Sequence, residues 1–329
     1  MAEVEVDSLL QEEVEIQVED AAAVLQIKVE EDTTMISHMV IIIQPVIDKT
    51  SHMFSFIIAK ITDTTLLTIV LNLMAKKLLD LPPSEEMGDI YKAFDDFVGA
   101  VLSFPLNIPG TTYARGIRAR GILLKRNHKC IKERREHPEV LRNDLLTKLV
   151  REGTFSDEII ADTIIFFVFA GVETSAMAMT FAVKYLTENP RALKELRVKN
   201  ETLRLGGATV VLFREAKQDI KVKDFVIPKG WTVYVFLSAT HVDGKYHYEA
   251  EKFLPWRWQN KEISGEPCYM PFGRGGRLCP GLHLARFEIA LFLHNFVTKF
   301  RWEQLEIDRA TYFPLPSTEN GFPIRLYSR

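Results

Sequence analysis

The chain has 329 residues, 47% of them hydrophobic and 26% charged, enough apolar material to bury a sizeable core as one large domain or two smaller ones. Its 41 basic and 44 acidic residues leave a formal charge of -3, which gives no electrostatic reason to expect nucleic acid or another polyanion as a partner. Three scattered cysteines, Cys130, Cys268 and Cys279, exclude a disulfide framework, and no CxxC or HxxxH spacing marks a zinc site.

The N-terminal stretch is crowded with acids from Glu3 to Asp32 and lacks the basic flank and apolar run of a targeting signal. It reads as a solvated or disordered leader, and residues 1–36 are set apart from a single domain over 37–329. The uncharged stretches Thr33–Ile47, Thr64–Ala75 and Thr163–Val172 are each too short to span a bilayer. Residues 53–79 are apolar enough for one or two buried helices, and a helical pattern resumes over Glu86–Ser103 until Pro105, Pro109 and Gly110 break it. From Thr111 to Glu136 the pattern is helical and basic, with Arg115, Arg118, Arg120, Lys125, Arg126, Lys129, Lys132, Arg134 and Arg135, and it reads as a solvated face. A shorter helix follows over Leu141–Arg151, before Gly153.

Ser156, followed by Asp157 and Glu158, is a good helix start, because a hydroxyl cap and early acids satisfy free amides and the positive end of the dipole. No proline appears from there until Pro190, so one helix of about thirty residues, about 45 to 50 Å long, is expected as a central beam. A second helix over Ala192–Leu205 ends at Gly206 and Gly207, the composition of a left-handed cap. Three strands are then expected, Thr209–Phe213, Ile220–Val226 and Trp231–Leu237, with Ile227-Pro228-Lys229-Gly230 as a turn. Leu282–Phe300 returns to helical spacing, and the last residues are turn and strand. The fold class is mainly α with small β-sheets.

Three places carry chemistry. Cys279 stands just before Pro280 and Gly281 at the expected N-terminus of the last helix, where amides and the helix dipole favour a thiolate. Gly273, Gly275, Gly276 and Gly281 let backbone approach a flat cofactor and aim amides at the sulfur; Phe272 is placed to shield it, and Arg277 to meet a cofactor carboxylate. In the long helix, Ala170-Gly171-Val172-Glu173-Thr174 sets an acid and an alcohol after an uncharged run, where buried polar groups need a partner or a task. Gly171 costs about 1 kcal/mol against alanine, so it calls for the close approach of a ligand or a local distortion. Finally, Glu201 and Arg204 face the same way on their helix, and Arg257 in Pro255-Trp256-Arg257-Trp258 is a third member. An acid buried between two arginines is a structural clamp, not a catalyst.

The acid-alcohol helix, Glu201-Thr202-Leu203-Arg204, the Pro255–Trp258 loop and Phe272-Gly273-Arg274-Gly275-Gly276-Arg277-Leu278-Cys279-Pro280-Gly281, in that order, resemble the cytochrome P450 family from about Leu141 to the C-terminus. The resemblance implies that Cys279 is the axial ligand of haem b iron, that Glu173 and Thr174 relay protons to dioxygen, and that Arg277 and Arg214 contact haem propionates. It also implies a monooxygenase fed by NADPH through NADPH-cytochrome P450 reductase. One oxygen atom of O2 then enters a lipophilic substrate, in an apolar pocket beside Phe166, Phe167 and Ala170. Leu102-Ser103-Phe104-Pro105-Leu106-Asn107-Ile108-Pro109-Gly110-Thr111 and Phe213-Arg214-Glu215-Ala216 look like the plant branch that oxidises steroid and other isoprenoid hormones, brassinosteroid hydroxylases among them. By resemblance the protein belongs on the cytoplasmic face of the endoplasmic reticulum membrane.

Before Met53 the chain shows none of the family's anchor, proline hinge, first sheet or haem-seating helix, so a cytoplasmic location is the alternative. Glu201 follows Pro190 by only eleven residues, which leaves no room for the helices that usually separate the long helix from the ExxR helix. Arg274 stands where this branch usually has glycine. The chain therefore reads as a shortened form, and the rival expectation is a non-catalytic fragment with weak or no haem binding.

Overall fold

The structure is a computed structural model that describes residues 63–81, 87–140, 142–194, 198–259, 268–312 and 316–329. The acidic leader and residues 53–62 lie outside the described residues. By its internal packing the described chain divides into two units, one ending at Ala176 and the other running from Met177 to Arg329.

In the first unit, α1 (Asp63–Leu79) is buried on every side over residues 69–75, with Leu66, Leu78 and Leu79 buried as well, so it is a core helix and not a half-exposed one. Helices α2 (Met87–Val101) and α3 (Thr112–Glu136) pack closely because Gly116 has no side chain: a Cβ there would stand 2.0 Å from the Ala100 Cβ. Thr111 caps α3, its hydroxyl oxygen accepting from the Ala114 amide at 3.2 Å. Ala93, Ala119, Leu123 and Ile165 form a common core. Asp144 caps α4 (Leu145–Glu152) by accepting from the Thr147 amide at 2.7 Å, and Gly153, at φ +70°, ends it in the left-handed conformation.

The basic face of α3 is less solvated than its composition suggests. Arg134 is 6% exposed and donates to the Leu79 carbonyl at 2.5 Å, with Asp144 at 3.5 Å. Arg120 and Arg135 pair with Asp162 and Asp157, each at 2.5 Å. Sequence spacing marks these residues as cations; only the fold brings carboxylates and a free helix-end carbonyl to them.

The long helix α5 (Asp157–Glu188) has 32 residues and is about 48 Å long. The Ser156 hydroxyl accepts from the Ile159 amide at 3.4 Å, and the Glu158 carboxyl titrates below its usual range, through a backbone amide first and Ser156 second. Its first half buries one stripe, Ile160, Ile164, Val168 and Val172, whereas residues 175–186 are buried on every side. The helix is long and apolar enough to cross a membrane by length and composition, yet 61% of its most apolar window is buried in protein, which is what a core helix shows.

In the second unit the expected helix over Ala192–Leu205 is two pieces, a 3-10 turn over Pro190–Lys194 and α6 (Val198–Leu205). Between Glu188 and Val198 the described residues hold no other helix. Gly206 and Gly207 are not left-handed. A Cβ on Gly206 would stand 2.8 Å from the Phe181 ring and one on Gly207 2.7 Å from the Leu203 carbonyl oxygen, so these glycines serve close approach instead of handedness.

The strands form two-stranded antiparallel pairs. β1 (Val211–Glu215) pairs with β4 (Thr232–Phe236), with Arg214 opposite Val233. The expected strand Ile220–Val226 is a hairpin of β2 (Ile220–Val222) and β3 (Phe225–Ile227), turned at Lys223, φ +54°. The turn expected over Ile227–Gly230 closes one residue later, over Pro228–Trp231, with the Trp231 N–H donating to the Pro228 carbonyl at 3.2 Å and Gly230 at φ +83°. After the short α7 (Leu237–His241) and a 3-10 turn over Pro255–Gln259 come α8 (Leu282–Lys299), then β5 (Phe300–Gln304) with β8 (Ile324–Ser328), and β6 (Ala310–Thr311) with β7 (Ser317–Thr318). α8 turns Ile289, Phe292, Leu293 and Phe296 inward. The Trp302 indole donates to the Thr187 hydroxyl at 2.7 Å, tying β5 to the end of α5.

Candidate active site

The Glu201 carboxylate is fully buried and fully bonded. Arg204 grips it with Nη2 at 2.7 Å and Nε at 3.1 Å, Arg257 Nε reaches it at 3.0 Å, the Leu254 amide at 3.0 Å and the Trp258 indole at 2.8 Å. The arginines spend their remaining donors on carbonyls: Arg204 on those of His241, Ala250 (2.7 Å) and Lys252 (3.2 Å), Arg257 on that of Tyr248 (2.6 Å). A buried charge is tolerated only when paired and hydrogen-bonded in this way. The arrangement ties α6 to residues 241–258 and leaves no oxygen free for chemistry.

The loop before α8 presents Cys279. Gly273 and Gly275 take φ of +75° and +72°, which a side chain would strain. The Cys279 amide donates to the Phe272 carbonyl at 3.0 Å, and the Leu282 amide to the Cys279 carbonyl at 3.2 Å, closing the loop on the helix start. The sulfur is half-buried, and a Cβ on Gly281 would stand 3.8 Å from it. Burial pushes the thiol up from its ordinary value, opposed by a bond from the Gly281 backbone, so the helix end alone does not deliver the thiolate expected from sequence: α8 begins three residues beyond the sulfur. Phe272 is half-buried and Arg277 exposed, with no ion pair among the described residues. Arg274 sits at φ -153°, extended backbone that any residue adopts, so its substitution for glycine strains nothing.

These residues fit an iron held in a flat macrocycle. A thiolate sulfur is a soft donor, and among the described residues no group of three or more His, Cys, Asp or Glu could hold an ion. A metal at Cys279 must bring its other ligands with it, and Gly281, whose Cβ would stand 3.8 Å from the sulfur, adds no side chain there.

In the first unit, Glu173 and Thr174 are both half-buried on α5, and the Thr174 hydroxyl donates to the Ala170 carbonyl at 2.7 Å. At Gly171 a Cβ would stand 2.4 Å from the Met74 Cε, the flexible end of a side chain of α1. Phe166 is 60% exposed. A cavity of about 40 Å³ in this unit is lined by Leu71, Phe94, Leu123, Ile164 and Val168, not by Phe166, Phe167 or Ala170, and it is too small for a lipophilic substrate. Arg214 of β1 is half-buried and donates to its neighbour's carbonyl, that of Phe213, at 2.8 Å.

Sequence reasoning missed two histidines beside the clamp. His241 and His247 are 3% and 1% exposed, and both titrate well below the usual range, at about 4. Burial is the main cause for each; His247 and then Arg204 add to it at His241, and Arg204 and Arg257 at His247. It also left the second tryptophan of Pro255–Trp258 without a role, although an indole next to a buried acid is a natural donor.

The cytochrome P450 family profile matches residues 36–199 and 197–315, and the chain belongs to that family. Cytochrome P450 720B2 of Pinus taeda is 52% identical over 297 residues, covering 79% of this chain and 61% of the relative. The abietadienol/abietadienal oxidase of the same species is 50% identical over 291 residues, covering 79% and 60%. A steroid (22S)-hydroxylase of Oryza sativa subsp. indica is 34% identical over 297 residues, covering 78% and 59%. The chain thus spans about 60% of the length of these relatives. The structure of a retinoic acid bound cyanobacterial CYP120A1 superposes with a TM-score of 0.77 at 24% identity, over 90% of this chain and 74% of that one, a likeness of fold.

Proposed function

We propose that this chain is a haem-dependent monooxygenase that inserts one atom of O2 into a lipophilic isoprenoid. The observation that carries the reading is the Cys279 loop: a half-buried sulfur three residues before α8, preceded by two glycines in the left-handed conformation and closed by the Cys279 amide on the Phe272 carbonyl. Bound there, haem b supplies the iron that activates dioxygen.

The chain's own residues divide the remaining work. Cys279 would hold the iron through its thiolate, and Phe272 would shield the sulfur from water. Arg277 and Arg214 offer guanidiniums to the propionates. Glu173 and Thr174 hold and pass protons, the Thr174 hydroxyl rotating away from the Ala170 carbonyl to do so. Glu201, Arg204 and Arg257 keep the loop's support rigid. Electrons come from NADPH through a flavoprotein reductase at the endoplasmic reticulum membrane, as in the family.

For the substrate, relatives at 52% and 50% identity, one named for abietadienol and abietadienal, weigh more than steroid hydroxylases at 34%. That order supports a diterpenoid alcohol or aldehyde ahead of a brassinosteroid-type steroid. Haem titration of the purified chain tests the reading, with stoichiometric retention by the native chain and loss in Cys279→Ser expected. Titrating the loaded protein with each substrate class then separates them by which one shifts the haem band. No haem uptake, or equal uptake by the Ser variant, contradicts the assignment.

A further inference from the structure

His241 joins the clamp to the cysteine loop, beside a second tie in which the Tyr269 hydroxyl donates to the Asn200 carbonyl of α6 at 3.2 Å, and every residue of the connection lies in the second unit. Arg204, bonded to Glu201, donates to the His241 carbonyl. The His241 ring then accepts, at Nε2, the backbone amide of Met270 at 3.1 Å. From there the chain closes on itself: the Gly273 amide donates to the Met270 carbonyl and the Cys279 amide to the Phe272 carbonyl, each at 3.0 Å. A backbone N–H can only donate, so Nε2 must carry its lone pair, and the ring is neutral with its proton on Nδ1.

We propose that His241 is a positioning residue, whose neutral ring fixes the entry of the 270–279 loop to the Glu201–Arg204 clamp and so sets where Cys279 is presented. Its surroundings keep the ring neutral. The Arg204 charge on α6 and His247 from the segment after α7 oppose a proton, a bond with the Arg204 backbone favours one and is the smallest effect, and the Tyr269 ring lies 6.0 Å away. Glu201, the carboxylate of the clamp, is already taken by Arg204, Arg257 and Trp258. With burial as the main cause, the ring accepts a proton only at about pH 4. A protonated ring has no acceptor for the Met270 amide, so the pin releases in acid.

The inference deepens the haem-thiolate reading and takes its functional meaning from it, but its test needs no haem, so the two fail separately. Amide hydrogen exchange is followed in peptides spanning 270–279 of the full chain, with rates corrected for the intrinsic effect of pH. His241→Leu removes the acceptor and should speed exchange about tenfold in those peptides, the cost of stranding one buried amide, while peptides from residues 157–170 stay unchanged. His241→Gln, whose amide oxygen can still accept, should restore protection. In the native chain, protection of 270–279 should fall as the pH is lowered through about 4, and further than in the Gln variant, which keeps His247 and its own acid loss but not the His241 ring. Native protection in the Leu variant, or a Gln variant as unprotected as Leu, overturns the proposal. If the Leu variant does not fold, the acid comparison decides: equal loss in the native chain and the Gln variant overturns it.

Discussion

Trp258 donates its indole N–H to Glu201 at 2.8 Å, on the carboxylate oxygen opposite the one Arg257 reaches at 3.0 Å. The acid is therefore held from both sides. Glu201→Gln leaves two buried guanidiniums without their counter-charge and should cost about 3–5 kcal/mol, read as a lowered urea midpoint. Trp258→Phe leaves one lone pair unsatisfied and should cost about 1–3 kcal/mol. A Gln variant as stable as the native chain would mean that the clamp carries no stability.

Gly116→Ala should destabilise the first unit, because the new methyl would meet the Ala100 Cβ at 2.0 Å. Overpacking of this kind costs about 1–3 kcal/mol, against about 1 kcal/mol gained in helix propensity. Pairing it with Ala100→Gly makes the room and should recover most of the loss. Strict additivity of the two substitutions in thermal unfolding would place the strain elsewhere.

His247 is buried with neither ring nitrogen bonded, and its pKa is lowered to about 4. Its unfolded value is about 6.5, so between these values the unfolded chain binds more protons. Stability then rises with pH through the window, is complete above about 6.5, and is lost as pH falls toward about 4. The slope is at most about 1.4 kcal/mol per pH unit for this residue. His247→Phe should flatten that slope without loss of stability at pH 7, since it removes a buried polar group that has no partner. An unchanged slope would show that His247 does not titrate with folding.

Thr174→Ala should leave haem binding intact and divert reducing equivalents to peroxide, measured as NADPH consumed against product formed. Unchanged coupling would remove Thr174 from the proton relay. Because, among the described residues, the hydroxyl bonds only the Ala170 carbonyl of its own helix, the substitution should change stability by less than about 1 kcal/mol.

What could be read from the sequence was what local chemistry decides. Ser156 with Asp157 and Glu158 announces α5, and Thr111 and Gly153 mark their helix ends, because caps and left-handed turns depend on a few neighbouring residues, whereas the start expected at Leu141 lies four residues later, behind the Asp144 cap. The left-handed cap expected at Gly206 is not formed, because the reason for that glycine is a partner far along the chain, the Phe181 ring. Arg134 looked solvated for the same cause, its acceptors being Leu79 and Asp144. In the site, Glu201, Arg204, Arg257 and Cys279 stood out by spacing. His241 did not, since a lone histidine in a polar stretch carries no signal until the fold brings Met270 to its ring.

The most direct test of the central claim is the absorption spectrum of the purified, haem-loaded chain, reduced under carbon monoxide. A thiolate opposite carbon monoxide shifts the Soret band strongly to the red, and the account predicts that shift in the native chain and its loss in Cys279→Ser. A native spectrum without the shift, or a Ser variant that keeps it, would contradict the assignment of Cys279 as the iron ligand.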